Sequence, residues 1–222
     1  KLYVQRPTSQ NFEDMLKVAG SLDVPFSRYV FNSVFVSVVV TVAQLFLSSS
    51  AAYVLSKVKA PGVKAMNKVI EIALLFTSSV TYIVQYIVMA GMGMIDTYWA
   101  ITLPYIATPM GLFLMKQFMG QIPESMIDGA SHLRVCWQIV MPNVKPAWLT
   151  LMIFAFQGAW QITGYLFVYS EQLKPIPIVM QQIAAAGIAR QGVSSATVVV
   201  LMLPPMILFL ILQSNVVETM AH

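Results

Sequence analysis

Charge is scarce in this chain. Asp, Glu, Lys and Arg make up 10% of its 222 residues, against about 25% in an ordinary soluble domain. That shortfall argues against a solvated globule and for a protein whose solvent is largely lipid. Cysteine is nearly absent too. Cys136 stands alone, so an internal disulfide is excluded, and the thiol is expected to be small, buried or interfacial packing. The two histidines, His132 and His222, lie far apart, and no His/Cys/Asp/Glu group has metal-ligand spacing. We therefore expect no metal site and no catalytic residues. No Gly-x-x-x-x-Gly-Lys-Ser/Thr phosphate loop occurs, so any nucleotide-driven work must come from another chain. No signal-peptide pattern opens the sequence. A chain that begins with Lys1 rather than Met is expected to be part of a longer one.

Long apolar runs are what the sequence has instead. Hydrophobic residues reach 58%, with fifteen Met and twelve Pro; adaptable packing and interrupted helices are both tolerated in membranes. About 20 apolar residues suffice to cross a bilayer. Five runs meet that length: residues 30–56, 69–92, 98–119, 144–168 and 195–217. Because every backbone polar group must be paired in lipid, these are expected to be helices, and the fold class is all-α with about five transmembrane helices. Residues 1–29 form an external N-terminal segment in which NFEDMLKVAG can make a short amphipathic helix, with Phe12, Met15, Leu16 and Ala19 on one face. Residues 30–217 form the transmembrane domain, and 218–222 a cytoplasmic tail. Lys57, Lys59, Lys64 and Lys68, with no acid among them, place the loop 57–68 in the cytoplasm. The net charge of +4 is spread along the chain, an orientation signal and not a nucleic-acid footprint.

Within the spans, Ser48, Ser49, Ser50, Ala51 and Ala52 form a small-residue patch that lets helices approach closely. Pro104 and Pro109 should kink the third span, and Pro204-Pro205 should break the last near its middle. A short helix is expected around 177–186. Neutral polar residues at mid-depth face a water path or another helix more often than lipid. Two such sets stand out, Thr81, Tyr82 and Gln85 in the second span and Gln157, Trp160 and Gln161 in the fourth. These amides and the aromatic face are candidate contacts along a solute path, but interhelical bonding and packing account for the same residues.

The polar hinge at 121–142, QIPESMIDGASHLRVCWQIVMP, sits between two membrane-length runs in the cytoplasmic loop 120–143. Asp128 suits the cap of a helix starting at Ala130 or Ser131, and Gly129 permits a backbone geometry or close approach that other residues do not. A short helix lying on the membrane face can fit a partner's groove and pass on rigid-body motion. A solvated linker with an N-cap is the competing reading.

In its order and spacing the chain resembles the inner-membrane permease subunits of binding-protein-dependent ABC importers, the carbohydrate-uptake, maltose-type class. The residues that carry the resemblance are Asp128-Gly129-Ala130-Ser131 followed by Ile139-Val140-Met141-Pro142, with Asn32-Ser33, Ala51-Ala52-Tyr53, Leu103-Pro104, Phe113-Leu114-Met115-Lys116-Gln117-Phe118 and Gln213-Ser214-Asn215 at matching places. The chain departs from the pattern before Asp128, where the family usually has about five more residues, roughly one and a half helical turns. Glu124 is the candidate to replace the family's acidic residue there. The resemblance implies a six-helix fold lacking its first helix. It implies a prokaryotic cytoplasmic (inner) membrane location and a sugar or oligosaccharide cargo. It implies an ATPase-coupling role for Glu124, Asp128, Gly129, Ala130, Ser131, Arg134 and Pro142. The implied partners are a second permease subunit, two cytoplasmic ATPase subunits that bind ATP and Mg, and an extracytoplasmic solute-binding protein. The chain itself is expected to be a transport subunit, not an enzyme, with no cofactor of its own. The alternatives are a secondary transporter or channel, which normally holds ionisable groups at mid-membrane, and a membrane scaffold without ATPase coupling.

Overall fold

A computed structural model of the chain describes residues 9–20, 24–58, 61–75, 78–123, 134–162, 167–185 and 191–220. Regular structure among these residues is helical: α1 (Gln10–Gly20), α2 (Phe26–Lys57), α3 (Val63–Ala73), α4 (Ser78–Gly91), α5 (Tyr98–Ile106), α6 (Pro109–Gly120), α7 (Lys145–Trp160), α8 (Ile176–Ala185) and α9 (Gln191–Met220). A π-helical turn, Val135–Val140, runs through Met141–Asn143 into α7, and the two helical pieces meet at an 85° bend. Among the described residues, three helical segments are long and apolar enough to cross a bilayer, Phe26–Lys57, Tyr98–Gly120 and Gly192–Gln213, with a fourth if the bent pair counts as one span.

α2 is the central post, packed against α5, α6 and α7. The small-residue patch does what its size allows. Ala52 is fully buried against Met115 and Met119 of α6, and Val140 and Ala147 close the same cluster. Ser49 is fully buried as well, and its hydroxyl has no hydrogen-bond partner. At the opposite end of α2, Asn32 donates to the carbonyls of Gln172 (2.8 Å) and Lys174 (3.1 Å) and accepts from the Tyr98 hydroxyl (2.8 Å). Ser33 Oγ accepts from the Ile176 amide at 2.7 Å. Polar residues at the start of an apolar helix thus tie down the segment leading into α8. Met15 of the amphipathic α1 is buried with Ile176, Met180 and Val193, whereas Phe12 and Leu16 are exposed.

The helix bounds differ from the sequence expectations in four places. The run at 69–92 is split between α3 and α4, with α3 closing at a turn through Leu74. The run at 98–119 is two helices: Thr108 accepts from the Gly111 amide as an N-cap and Pro109 occupies the first turn of α6, so this proline starts a helix where a kink was expected. α7 ends at Trp160, short of 168, and Gln161 lies beyond the last turn. Pro204 and Pro205 do not interrupt α9, which continues through both. The reason lies in a bond from α7, described below.

Candidate functional site

A cavity of about 730 Å³ lies where α2, α4, α5, α6 and α7 surround the break between α5 and α6. Its walls are mostly apolar, including Leu114, Leu151, Phe154 and Ala155. Its polar groups come from several elements: Gln44 of α2, Thr81 and Gln85 of α4, Tyr105 of α5, and Thr108 between α5 and α6. A smaller recess of about 120 Å³ adjoins it, shares Gln85, Tyr105 and Thr108, and adds Tyr82 and Phe167, whose rings meet edge to face at 5.0 Å.

Gln44 and Thr108 organise the wall. Gln44 is 4% exposed, and its Nε2 donates to Thr108 Oγ1 at 2.5 Å. Gly111 makes the arrangement possible, because a Cβ there would lie 2.6 Å from Gln44 Nε2 and 2.9 Å from Leu151 Cδ1. Sequence reasoning missed both residues. The signals were a mid-span glutamine inside an uncharged run and the Thr-Pro pair of a capped helix start.

The structure divides the predicted sugar-contact residues between two places. Thr81, Tyr82 and Gln85 belong to the cavity just described and its recess. Gln157 and Gln161 line a groove of about 450 Å³ between α7 and α9. Trp160 and Gln161, with Gln181 and Thr197, line an adjoining space of about 470 Å³. α7 separates the two sites, since it turns Phe154, Ala155, Gly158 and Ala159 toward one and Ile153 and Gln157 toward the other. Trp160 is 4% exposed, stacked on Phe156 at 5.8 Å, and its indole Nε1 donates to the Leu201 carbonyl at 2.9 Å. That carbonyl sits four residues before Pro205, which has no N–H to offer it. Trp160 supplies the missing donor, so α9 passes its prolines without an orphaned carbonyl at this position.

Of the hinge residues, Glu124, Asp128, Gly129, Ala130 and Ser131 lie outside the described residues. Arg134 is exposed, with its Nε 3.1 Å from Gln138 Oε1, and Pro142 is exposed in the short turn before the bend. Lys57, at the end of α2, reaches the end of α6, where its Nζ donates to the Ile122 carbonyl and lies 3.5 Å from the Gly120 carbonyl. Helix ends leave such carbonyls unpaired, and a lysine there also complements the helix dipole. Lys57, Gly120 and the 135–144 segment therefore occupy one end of the bundle, while Asn32, Asp96 and Glu171 occupy the other. At that other end the Asp96 carboxylate accepts from the Tyr169 amide (2.9 Å), the Ser170 amide (2.8 Å) and the Ser170 hydroxyl. Those bonds, led by the Ser170 hydroxyl, hold its pKa below the ordinary carboxylate value. No group of three or more His, Cys, Asp or Glu among the described residues is arranged to hold a metal.

A helical bundle with several segments long and apolar enough to cross a bilayer has the architecture of a multi-pass membrane protein. No protein-family model matches the chain. Among curated proteins it is similar to "Protein LplC" of Bacillus subtilis (strain 168), 29% identical over 216 residues, covering 88% of this chain and 72% of that one. It is also 29% identical over 199 residues to the polygalacturonan/rhamnogalacturonan transport system permease protein YtcP of the same organism, covering 86% and 68%. The sn-glycerol-3-phosphate transport system permease protein UgpE of Yersinia enterocolitica is 26% identical over 214 residues, covering 87% and 72%. Among solved structures, a chain of a bacterial ABC transporter involved in the import of the acidic polysaccharide alginate shares the fold, with a TM-score of 0.71 at 21% identity over 87% of this chain and 80% of that one. Over most of its length the chain is therefore similar to permease proteins of transport systems, and it shares the fold of an ABC importer chain.

Proposed function

We propose that this chain forms one side of the translocation path of an ATP-driven importer for a sugar or oligosaccharide in a prokaryotic cytoplasmic membrane. It pairs with a second permease, receives solute from an extracytoplasmic binding protein, and is driven by two ATPase subunits that bind ATP and Mg. The observation that carries this reading is the cavity of about 730 Å³ with amides and hydroxyls set in an otherwise apolar bundle. Such a site holds a polar, uncharged surface in place while keeping most of its wall compatible with helix packing. Two relatives are named for transport of polygalacturonan/rhamnogalacturonan and of sn-glycerol-3-phosphate; these support a polyhydroxyl cargo but, being anionic, give no support for a neutral one. Gln157 and Gln161 belong to a second polar face on the same chain, a candidate continuation of the path where the other permease docks.

Coupling is assigned to the loop 120–143, with Glu124, Asp128, Gly129, Ala130, Ser131, Arg134 and Pro142. A rigid element docked in an ATPase groove would be displaced when the ATPases close. The 85° bend at its end gives that displacement a lever on α7, which lines the cavity along five of its residues. The bundle would then rock between outward and inward access, a two-state motion of packed bodies rather than a deformation of each.

The test is co-purification of the full-length chain with its ATPase subunits in nanodiscs, beside a Gly129→Trp variant. We expect capture by the unaltered chain, with sugar- and ATP-dependent uptake in vesicles, and loss of both in the variant. Uptake that persists without any bound ATPase would refute the coupling assignment.

A further inference from the structure

We infer that the cavity between α2, α4, α6 and α7 is a site for an uncharged polyhydroxyl solute, read by Gln44 and Thr108 on one wall and Gln85 on another. The inference rests on the proposal that this cavity lies on a sugar path, and it adds the charge class of the sugar and the residues that select it.

Thr108 Oγ1 already accepts from Gln44 Nε2 at 2.5 Å and from the Gly111 amide at 3.4 Å. With both acceptor positions in use, its own proton remains to be donated, and Thr108 lines the cavity. The bond to Thr108 uses one N–H of the Gln44 amide, whose inventory also includes a second N–H and a carbonyl oxygen. The Gln44–Thr108 bond is already made without a ligand, so little ordering is required on binding. Gln85 supplies a further amide that both donates and accepts, as sugar hydroxyls do. The volume lies inside the range of about 300–1,000 Å³ usual for small-molecule sites.

The same wall is ill-suited to an acidic sugar. Each lining side chain is uncharged, and no charged residue occurs anywhere in the stretches 29–56, 72–95, 97–115 and 146–170. A carboxylate moved out of water needs a counter-charge or several charge-assisted bonds, and no cation is among the residues that line this cavity. Neutral amides and hydroxyls satisfy a neutral sugar without that requirement.

The experiment places a reporter thiol on the wall. Met110 lines the cavity and is exposed, so Met110→Cys is introduced in a Cys136→Ser background of the full-length chain, co-expressed with its partner subunits and held in nanodiscs. Maleimide labelling is timed with maltose, cellobiose or digalacturonate present. A neutral sugar at about ten times its Kd should slow labelling roughly tenfold by mass action, and digalacturonate should leave it unchanged. Gln44→Leu and Thr108→Val should each remove most of that protection while the sugar-free labelling rate stays the same; Thr108→Ser should retain it. Equal protection by digalacturonate overturns the inference on charge class. Absence of protection by either neutral sugar, in a preparation that still takes up sugar in vesicles, overturns the site and leaves the proposed function standing. Absence of both protection and uptake refutes the two together.

Discussion

Asp96 shows how one side chain can govern a junction. It sits at φ 60°, a backbone region that Asp and Asn enter more readily than other non-glycine residues. Its amide donates to the Phe167 carbonyl at 2.8 Å, so both its backbone and its carboxylate fasten the 167–170 stretch. Because the folded pKa is lowered by bonds from Ser170 and Tyr169, the carboxylate stabilises the fold above the ordinary carboxylate pKa, and that contribution is lost as pH falls through the lowered value. Thermal unfolding followed by tryptophan fluorescence should therefore be flat in this respect from pH 7 to about 5 and fall in strongly acid buffer, where the unfolded-state carboxylate near pH 3.9 is protonated. Asp96→Asn should remove the acid dependence at small cost. Asp96→Ala should cost more, because it adds left-handed strain of roughly 1–2 kcal/mol to the lost bonds. Ser49 makes the opposite case. Its hydroxyl is buried without a partner, so Ser49→Ala should leave stability unchanged or raise it by up to about 1 kcal/mol, read as an equal or higher unfolding temperature.

At the scale of elements, the α7–α9 contact carries a sharp prediction. Trp160→Phe keeps the stacking with Phe156 but takes the donor from the Leu201 carbonyl, at a cost of about 1–3 kcal/mol for a buried unpaired acceptor. Pro205→Ala returns an amide to that carbonyl from within α9. Trp160→Phe should then cost less in the Pro205→Ala background than in the unaltered chain. A coupling of about 1 kcal/mol or more in the double-mutant cycle, measured by unfolding in detergent, is the expected result; strict additivity would show that the two residues act independently. Trp160 was legible in the sequence as a residue that matters, but as a sugar platform. Its spacing to Pro205 is 45 positions, and no local pattern links them. Other elements were easier to read. The amphipathic pattern of 11–20 and the short helix near 177–186 appear as α1 and α8, because periodicity and flanking breakers are local properties. The breaks inside 69–92 and 98–119 were hidden by continuous apolarity, which reports the solvent and not the path of the backbone.

For the whole molecule, the two ends of the bundle have different tasks. One end gathers the bonds of Asn32, Asp96, Glu171 and Lys174; the Lys174 side chain, 8% exposed, is paired with Glu171. The other end gathers Lys57, the end of α6 and the bent entry to α7. Lys57→Met should free the carbonyls at the end of α6 and lower stability by about 1 kcal/mol, seen as a fall in unfolding temperature. If that tie also holds the hinge in register, sugar-stimulated ATP hydrolysis in the assembled importer should fall further than basal hydrolysis does.

The sequence alone determined the solvent, the helical class, the family resemblance and the candidate amides and hydroxyls, because apolar length, charge distribution and motif order are written along the chain. Tertiary structure decided which polar groups share a cavity. Gln44 and Thr108 are 64 positions apart and meet within 2.5 Å, Gln85 joins the same cavity, and Gln157 and Gln161 are turned to the far side of α7. Helix rotation and close approach at Gly111 set those neighbours, and both follow from packing between helices distant in sequence.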